Sequence, residues 1–204
     1  MEQHAFPPTT LTILPTMSTG SGTGRSIKPG VYAPICSFFQ TGTEDLGVCI
    51  RRDALLSTHI DTSFTTDLAS FEQHVVRAAK AGVGILIAGS NGEAIHLTHA
   101  ERTTLIKAAR VALDNANFTD VPIIAGTGAG SARETIELCE EAAAAGADVV
   151  IVITSGYFAG ALAGNAQALK TWYVQVANKS PLPVLLYNCE HDDSEDSPLY
   201  TNPP

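Results

Sequence analysis

The sequence has little that would tie it to nucleic acid, a membrane or a metal. Its 204 residues carry 12 Lys and Arg against 21 Asp and Glu, a formal net charge of −9, with no basic stripe to meet a phosphate backbone. No apolar run approaches the roughly 18–20 residues of a membrane span. The four cysteines, Cys36, Cys49, Cys139 and Cys189, lack C-x-x-C spacing, which leaves reduced thiols and no zinc site. Arg25 is the only arginine among the first fifty residues, and Glu2 stands where a secretory signal would be basic. Neither a presequence nor a signal peptide is expected, so the expected compartment is the cytoplasm. Aromatic residues are only 6% of the chain; with 45% hydrophobic content rich in Ala, Val and Ile, this suits an α/β protein of one domain.

What is present is organised around residues 84–102, GILIAGSNGEAIHLTHAER. Gly84 to Ala88 runs without a charge, too short for a helix and suited to a strand buried on both faces. Gly89-Ser90-Asn91-Gly92 then breaks the chain, two glycines and an Asn permitting backbone angles that other residues resist. Thr98 and Glu101 form a capping box, so a helix starts there. The polar turn sits at the carboxyl end of its strand, the end where parallel α/β folds bind ligands.

The same unit recurs along the chain. Val31 to Ile35 is a short strand, followed by a polar turn from Gln40 to Asp45. Asp67 caps a helix with Leu68, Phe71 and Val75 on one face, and Gly82 ends it. A helix from about His99 to Asn115 leads to the strand Val121 to Ala125. Ser131 and Glu134 read as a second capping box, and Gly146 closes that helix. Asp148 to Ile153 is the next strand, Ala166–Lys179 the next helix, and Pro183 to Tyr187 the fifth strand. Strand starts recur every ~27–37 residues, the spacing of βαβ crossovers, so the sheet is parallel and curls as a barrel. Five strands give a partial (β/α)8 TIM barrel, about five of its eight units. Residues 1–29, rich in Thr, Ser, Pro and Gly, read as a flexible tail; 30–188 form the barrel domain; 47–66 have no clean period and look inserted. The final segment, 189–204, holds five of the acidic residues and no Lys or Arg.

Several motifs have plain structural readings. Gly126 to Ser131 (GTGAGS) has Ser where a dinucleotide fingerprint needs its last Gly, and no acidic residue ends the next strand. It reads as a tight turn into a helix. His96 and His99 lack a third metal ligand at a useful spacing and read as surface or capping residues. No cofactor and no metal are expected. Gly-Ser-Asn-Gly is also ordinary turn chemistry. At a strand end in the expected mouth, however, Ser90 and Asn91 offer a hydroxyl, an amide and several free backbone N–H groups that suit a small carboxylate. Tyr157 and Tyr187 follow or end the fourth and fifth strands, so three strand ends aim polar groups into one mouth.

GSNGEAIHLTHAER resembles the GxTGE-type signature of the dihydrodipicolinate synthase / N-acetylneuraminate lyase family, and AGTGAG, SGYF and PVLLYN are similar to that family's further landmarks in the same order. The likeness is nearest to its fungal branch, which includes 2-keto-3-deoxy sugar-acid aldolases. The resemblance implies a (β/α)8 barrel that makes or breaks a C–C bond next to pyruvate through a lysine Schiff base, on a 2-keto-3-deoxy sugar acid or a 4-hydroxy-2-oxoglutarate type of substrate. It implies that Gly89, Ser90 and Asn91 hold the carboxylate of pyruvate or another 2-keto acid, and that Tyr187 moves protons. Tyr157 resembles the tyrosine after the fourth strand, SGYF fitting that motif in two registers. The family commonly forms tetramers.

The resemblance also implies a Schiff-base lysine on a sixth strand, roughly 27–35 residues beyond Tyr187. Lys28, Lys80, Lys107, Lys170 and Lys179 are the only lysines, in the tail or on outer helices. The expectation is a truncated, inactive chain in which 47–66 and 189–204 are foreign, with unspliced intron sequence as one origin. A five-strand remnant would leave an apolar strand edge uncovered, making a family-type homo-oligomer doubtful and the chain poorly soluble or dependent on a partner. The alternative is a non-catalytic binder of small carboxylates or a partner subunit.

Overall fold

Six strands form a single sheet in the order β1-β6-β5-β4-β3-β2: β1 (Thr12–Leu14), β2 (Tyr32–Pro34), β3 (Gly84–Ile87), β4 (Ile123–Gly126), β5 (Val149–Ile153) and β6 (Val184–Tyr187). The computed structural model describes residues 12–14, 25–37, 68–156, 162 and 164–187. The turn at 40–45, the 47–66 segment, Asp67, Tyr157 and the 189–204 segment lie outside the described residues. Strands β2 to β6 are parallel to one another. Each of the last four follows a helix: α1 (Leu68–Lys80), α2 (His99–Asn115), α3 (Ala132–Ala145) and α4 (Ala166–Lys179). The expected five parallel strands with their helices are present, in the repeat of a partial (β/α)8 barrel.

The four described helices all cover one face of the sheet. Phe71, Val75 and Ala79 of α1, Leu105, Ala109 and Leu113 of α2, Cys139 and Ala142 of α3 and Val176 of α4 share one core with Ile85, Ile87, Ile123, Ala125, Val150, Val152 and Val184. The alternate strand residues Ile124, Val149, Ile151 and Leu185 form a second cluster on the other face, with Leu86, Tyr187, Tyr32 and Ile27 against it. Among the described residues the helices stand on one side only, so the sheet's other face turns inward, as in a barrel, instead of receiving a second helix layer. Burial on both faces is why these strands read as unbroken apolar runs. Each fully buried Ile, Leu or Val contributes about 1.5–3 kcal/mol.

Local signals end the helices where the sequence places them. Gly82 (φ 74°) follows α1 and Gly146 (φ 101°) caps α3, both in the left-handed region that a side chain disfavours. Asp148, expected as the first residue of a strand, lies just before β5. Its buried carboxylate accepts the Ile123 N–H at 2.9 Å and Arg25 Nη1 at 3.3 Å.

Two features bear on the described parts of residues 1–29. Thr12–Leu14 pairs antiparallel with β6, Ile13 lying opposite Leu185. The pairing occupies the edge of β6 that was expected to stand open, since an unpaired edge offers a row of backbone donors and acceptors. Further on, Arg25 bonds both Asp148 and the Thr119 carbonyl, and Ile27 packs on the inner cluster.

Candidate active site

The loop after β3 is built from strained backbone held on three sides. Ala88 (φ 53°) and Glu93 (φ 54°) bracket a short 3-10 turn, Ser90–Gly92, and a second one follows at Ala94–His96. Left-handed angles were expected at the glycines and Asn91; they fall instead on Ala88 and Glu93, at a cost of about 1–2 kcal/mol each. The glycines serve close approach. A β-carbon on Gly89 would stand 2.6 Å from Leu86 Cδ2, and one on Gly92 would stand 2.9 Å from the Ile35 carbonyl oxygen.

Three anchors hold this loop. Ser37 Oγ donates to the Gly92 carbonyl at 2.7 Å, tying it to the end of β2. Arg102 Nη2 donates to the Ala94 carbonyl at 2.6 Å. The capping box fixes the entry to α2: Glu101 Oε2 accepts from Thr98 N and Thr98 Oγ1, both at 2.7 Å, while Thr98 Oγ1 accepts the Glu101 N–H. The turn spends its own amides, since Gly92 and Ala94 donate to the Gly89 carbonyl and Glu93 to that of Ser90. These three N–H groups are therefore not among the free donors expected for a carboxylate. Ser90 and Asn91 remain exposed at the tip.

Tyr187 is the last residue of β6, half-buried and packed on the inner cluster, with Ile153 of β5 as its register partner. The Ser90–Asn91 turn and Tyr187 therefore stand at the same, carboxyl end of the five parallel strands, with β4 and β5 between their own. The intervening loops are linked too. Thr127 N donates to the Ile151 carbonyl at 3.0 Å, and Ser155 Oγ donates to the Gly130 carbonyl at 2.9 Å. Ser131 caps α3 by accepting the Glu134 N–H at 3.2 Å, while the Glu134 carboxylate lies 3.8 Å from His99 Nε2.

His99 Nδ1 also stands 3.0 Å from Glu141, whereas His96 is exposed. Among the described residues, no group of three or more His, Cys, Asp or Glu could hold a metal ion, and no helix is long and apolar enough to cross a membrane. Cys36 is exposed and Cys139 buried, both unpaired. All five lysines are exposed. Sequence reasoning missed Ser37 and Arg102 as anchors. A basic residue in the first turn of α2, against the helix dipole, is the signal that marks Arg102.

The sequence profile of the Dihydrodipicolinate synthetase family matches residues 53–196. The chain is 44% identical over 163 residues to L-threo-3-deoxy-hexylosonate aldolase of Aspergillus niger, covering 79% of this chain and 42% of that protein. It is 42% identical over 165 residues to an Emericella nidulans protein named "Probable 4-hydroxy-2-oxoglutarate aldolase, mitochondrial", covering 80% of this chain and 46% of that one. Among solved structures it is similar to YagE, a dihydrodipicolinic acid synthase family protein from E. coli K12 in complex with pyruvate, with 30% identity and a TM-score of 0.59 over 78% of this chain and 44% of YagE. The chain thus spans less than half the length of these relatives.

Proposed function

Because the chain belongs to the dihydrodipicolinate synthetase family, we propose that it carries the acid-binding and proton-transfer half of a Schiff-base aldolase site. In this reading Gly89, Ser90 and Asn91 receive the carboxylate of pyruvate or of a longer 2-keto acid, and the Tyr187 phenol passes protons at the reacting carbon. The observation that carries it is the placing of that turn and that phenol at one end of one sheet. A phenol works there only within hydrogen-bond reach of the atom it protonates. Tyr157, which follows β5 in the sequence, is proposed as its helper. The substrate class is a 2-keto-3-deoxy sugar acid or 4-hydroxy-2-oxoglutarate, the kinds of compound that the two fungal relatives' names state.

The covalent step needs an unprotonated amine, which attacks the keto carbon and expels water to leave an imine that draws electrons from the breaking C–C bond. Such an amine has to stand in the mouth at the carboxyl ends of the strands, whereas the five lysines lie on α1, α2 and α4 or before β2. With all five lysines exposed, the reading assigns this chain binding without imine formation. Pyruvate titration followed by NMR should show saturable binding that Ser90→Ala and Asn91→Ala each weaken at least tenfold. Borohydride added with pyruvate should leave the mass of the chain unchanged. Absent or mutation-insensitive binding would refute the cradle, and a reductively labelled lysine would refute the assignment of the amine elsewhere. Residence in the cytoplasm belongs to the same proposal, and fractionation of a tagged chain decides between it and the mitochondrion.

A further inference from the structure

Arg102 stands where a helix does not favour a cation. It is the fourth residue of α2, beside the positive end of the helix dipole. Its guanidinium is largely removed from water, and that burial lowers its pKa from the ordinary arginine value, with only the Glu134 and Glu141 carboxylates of α3 acting in the opposite direction. Nη2 is used on the Ala94 carbonyl, while Nε and Nη1 are buried with no hydrogen-bond partner among the described residues. Burying a charged group with unspent donors is costly, and an apolar side chain of similar volume would fill the space without that cost. The arginine therefore needs a reason beyond packing.

Its single acceptor supplies one. Ala94 opens the second 3-10 turn, and its own N–H bonds to the Gly89 carbonyl. The guanidinium thus grips the carbonyl of a residue whose own N–H is bonded to the first residue of the proposed cradle. The two α3 carboxylates act on it through charge, and His99 also meets them, at 3.0 Å for Glu141 and 3.8 Å for Glu134. We infer that Arg102 is a positioning residue for the Gly89–Asn91 turn, holding the Ala94 carbonyl while α3 balances its charge, so that the loop is fixed to two helices at once. The inference rests on the proposed carboxylate-binding role of that turn. Arg102 itself touches no ligand.

The test compares the full chain with Arg102→Met, which keeps bulk but loses charge and donors, and with Arg102→Lys, which keeps a charge and a donor. Hydrogen exchange is read on the 88–97 peptide against peptides from β4 and β5, alongside pyruvate titration. Arg102→Met should speed exchange at 88–97 at least tenfold while β4 and β5 hold, and should weaken pyruvate at least tenfold. Arg102→Lys should recover most of both. Unchanged exchange at 88–97, or a rise spread evenly over the domain, overturns the inference. Should Arg102→Met fail to fold, the surface pair Glu134→Gln with Glu141→Gln carries the test. It should loosen the same peptide several-fold, and no loosening there overturns the inference as well. An unaltered chain that binds no pyruvate would refute the cradle reading instead, and the exchange comparison alone would then decide the role of Arg102.

Discussion

The carbonyl oxygen of Ala88 lies 1.9 Å from the point where a β-carbon on Gly126 would stand. The last residue of β4 is therefore a seat for the strained peptide that leaves β3, and neither partner can move without the other. Gly126→Ala should push the Ala88 peptide away. Overpacking of this kind costs about 1–3 kcal/mol, and the upper end is expected because the obstacle is backbone. Gly130→Ala is the control: its β-carbon would meet nothing within 4 Å, so a change under about 0.5 kcal/mol is expected. Urea unfolding gives both values, and pyruvate affinity should fall only in Gly126→Ala.

How much of this was legible beforehand follows from where the causes lie. The strands announced themselves because burial on both faces leaves no room for polar alternation, as in Val149–Ile153. Thr98 with Glu101, and Ser131, announced the helix starts because their side chains serve neighbours three residues away. Ser90, Asn91 and Tyr187 could be picked out by position at strand ends. The left-handed angles at Ala88 and Glu93 could not, since neither residue type favours them and tertiary contacts impose them. Thr12–Leu14 was hidden because, within a stretch whose composition argues for disorder, its pairing depends on a distant edge, at Val184–Leu186. The hold of Ser37 and Arg102 on the loop is likewise a matter of contacts between elements.

Thr98→Ala removes one half of the capping box. An N-cap threonine is typically worth about 1 kcal/mol, with a range of about 0.5–2. The loss should sit near the top of that range, because Glu101 is 2% exposed and its Oε1 already lacks a partner among the described residues. Thr98→Ser, which keeps the hydroxyl, should recover most of the stability in the same unfolding assay.

Arg25 and Asp148 tie the segment before β2 to the amino ends of β4 and β5. The arginine side chain is 22% exposed and the aspartate side chain 0%. Such a pair lies between the exposed bridges worth under about 1 kcal/mol and the buried ones whose breaking costs about 3–5. Arg25→Ala should therefore destabilise by about 2 kcal/mol. Asp148→Ala should cost more, because the buried Ile123 N–H loses its acceptor as well. Equal costs for the two variants would show that the arginine, and not the strand amide, is the main partner of that carboxylate.

Burial also sets a limit on stability at high pH. It pushes the Cys139 thiol and the Tyr173 phenol above their ordinary values of 9.0 and 10.0; hydrogen bonds between the thiol and Thr127 and Ser180, and between the phenol and Thr154, oppose this only in part. Both groups are neutral acids in the folded chain, and in the unfolded chain they ionise first. Below about pH 8 neither state has released these protons, so their contribution does not vary. Above 9.0 the unfolded state gives up protons that the folded state retains, and stability falls as pH climbs from the unfolded pKa values towards the folded ones. Urea midpoints should thus be level from pH 7 to 8 and decline by pH 10, with Cys139→Ala removing the earlier part of that decline. The same burial predicts that iodoacetamide at pH 8 modifies exposed Cys36 within minutes and leaves Cys139 untouched until urea unfolds the chain. Rapid labelling of Cys139 in the folded chain would contradict both expectations at once.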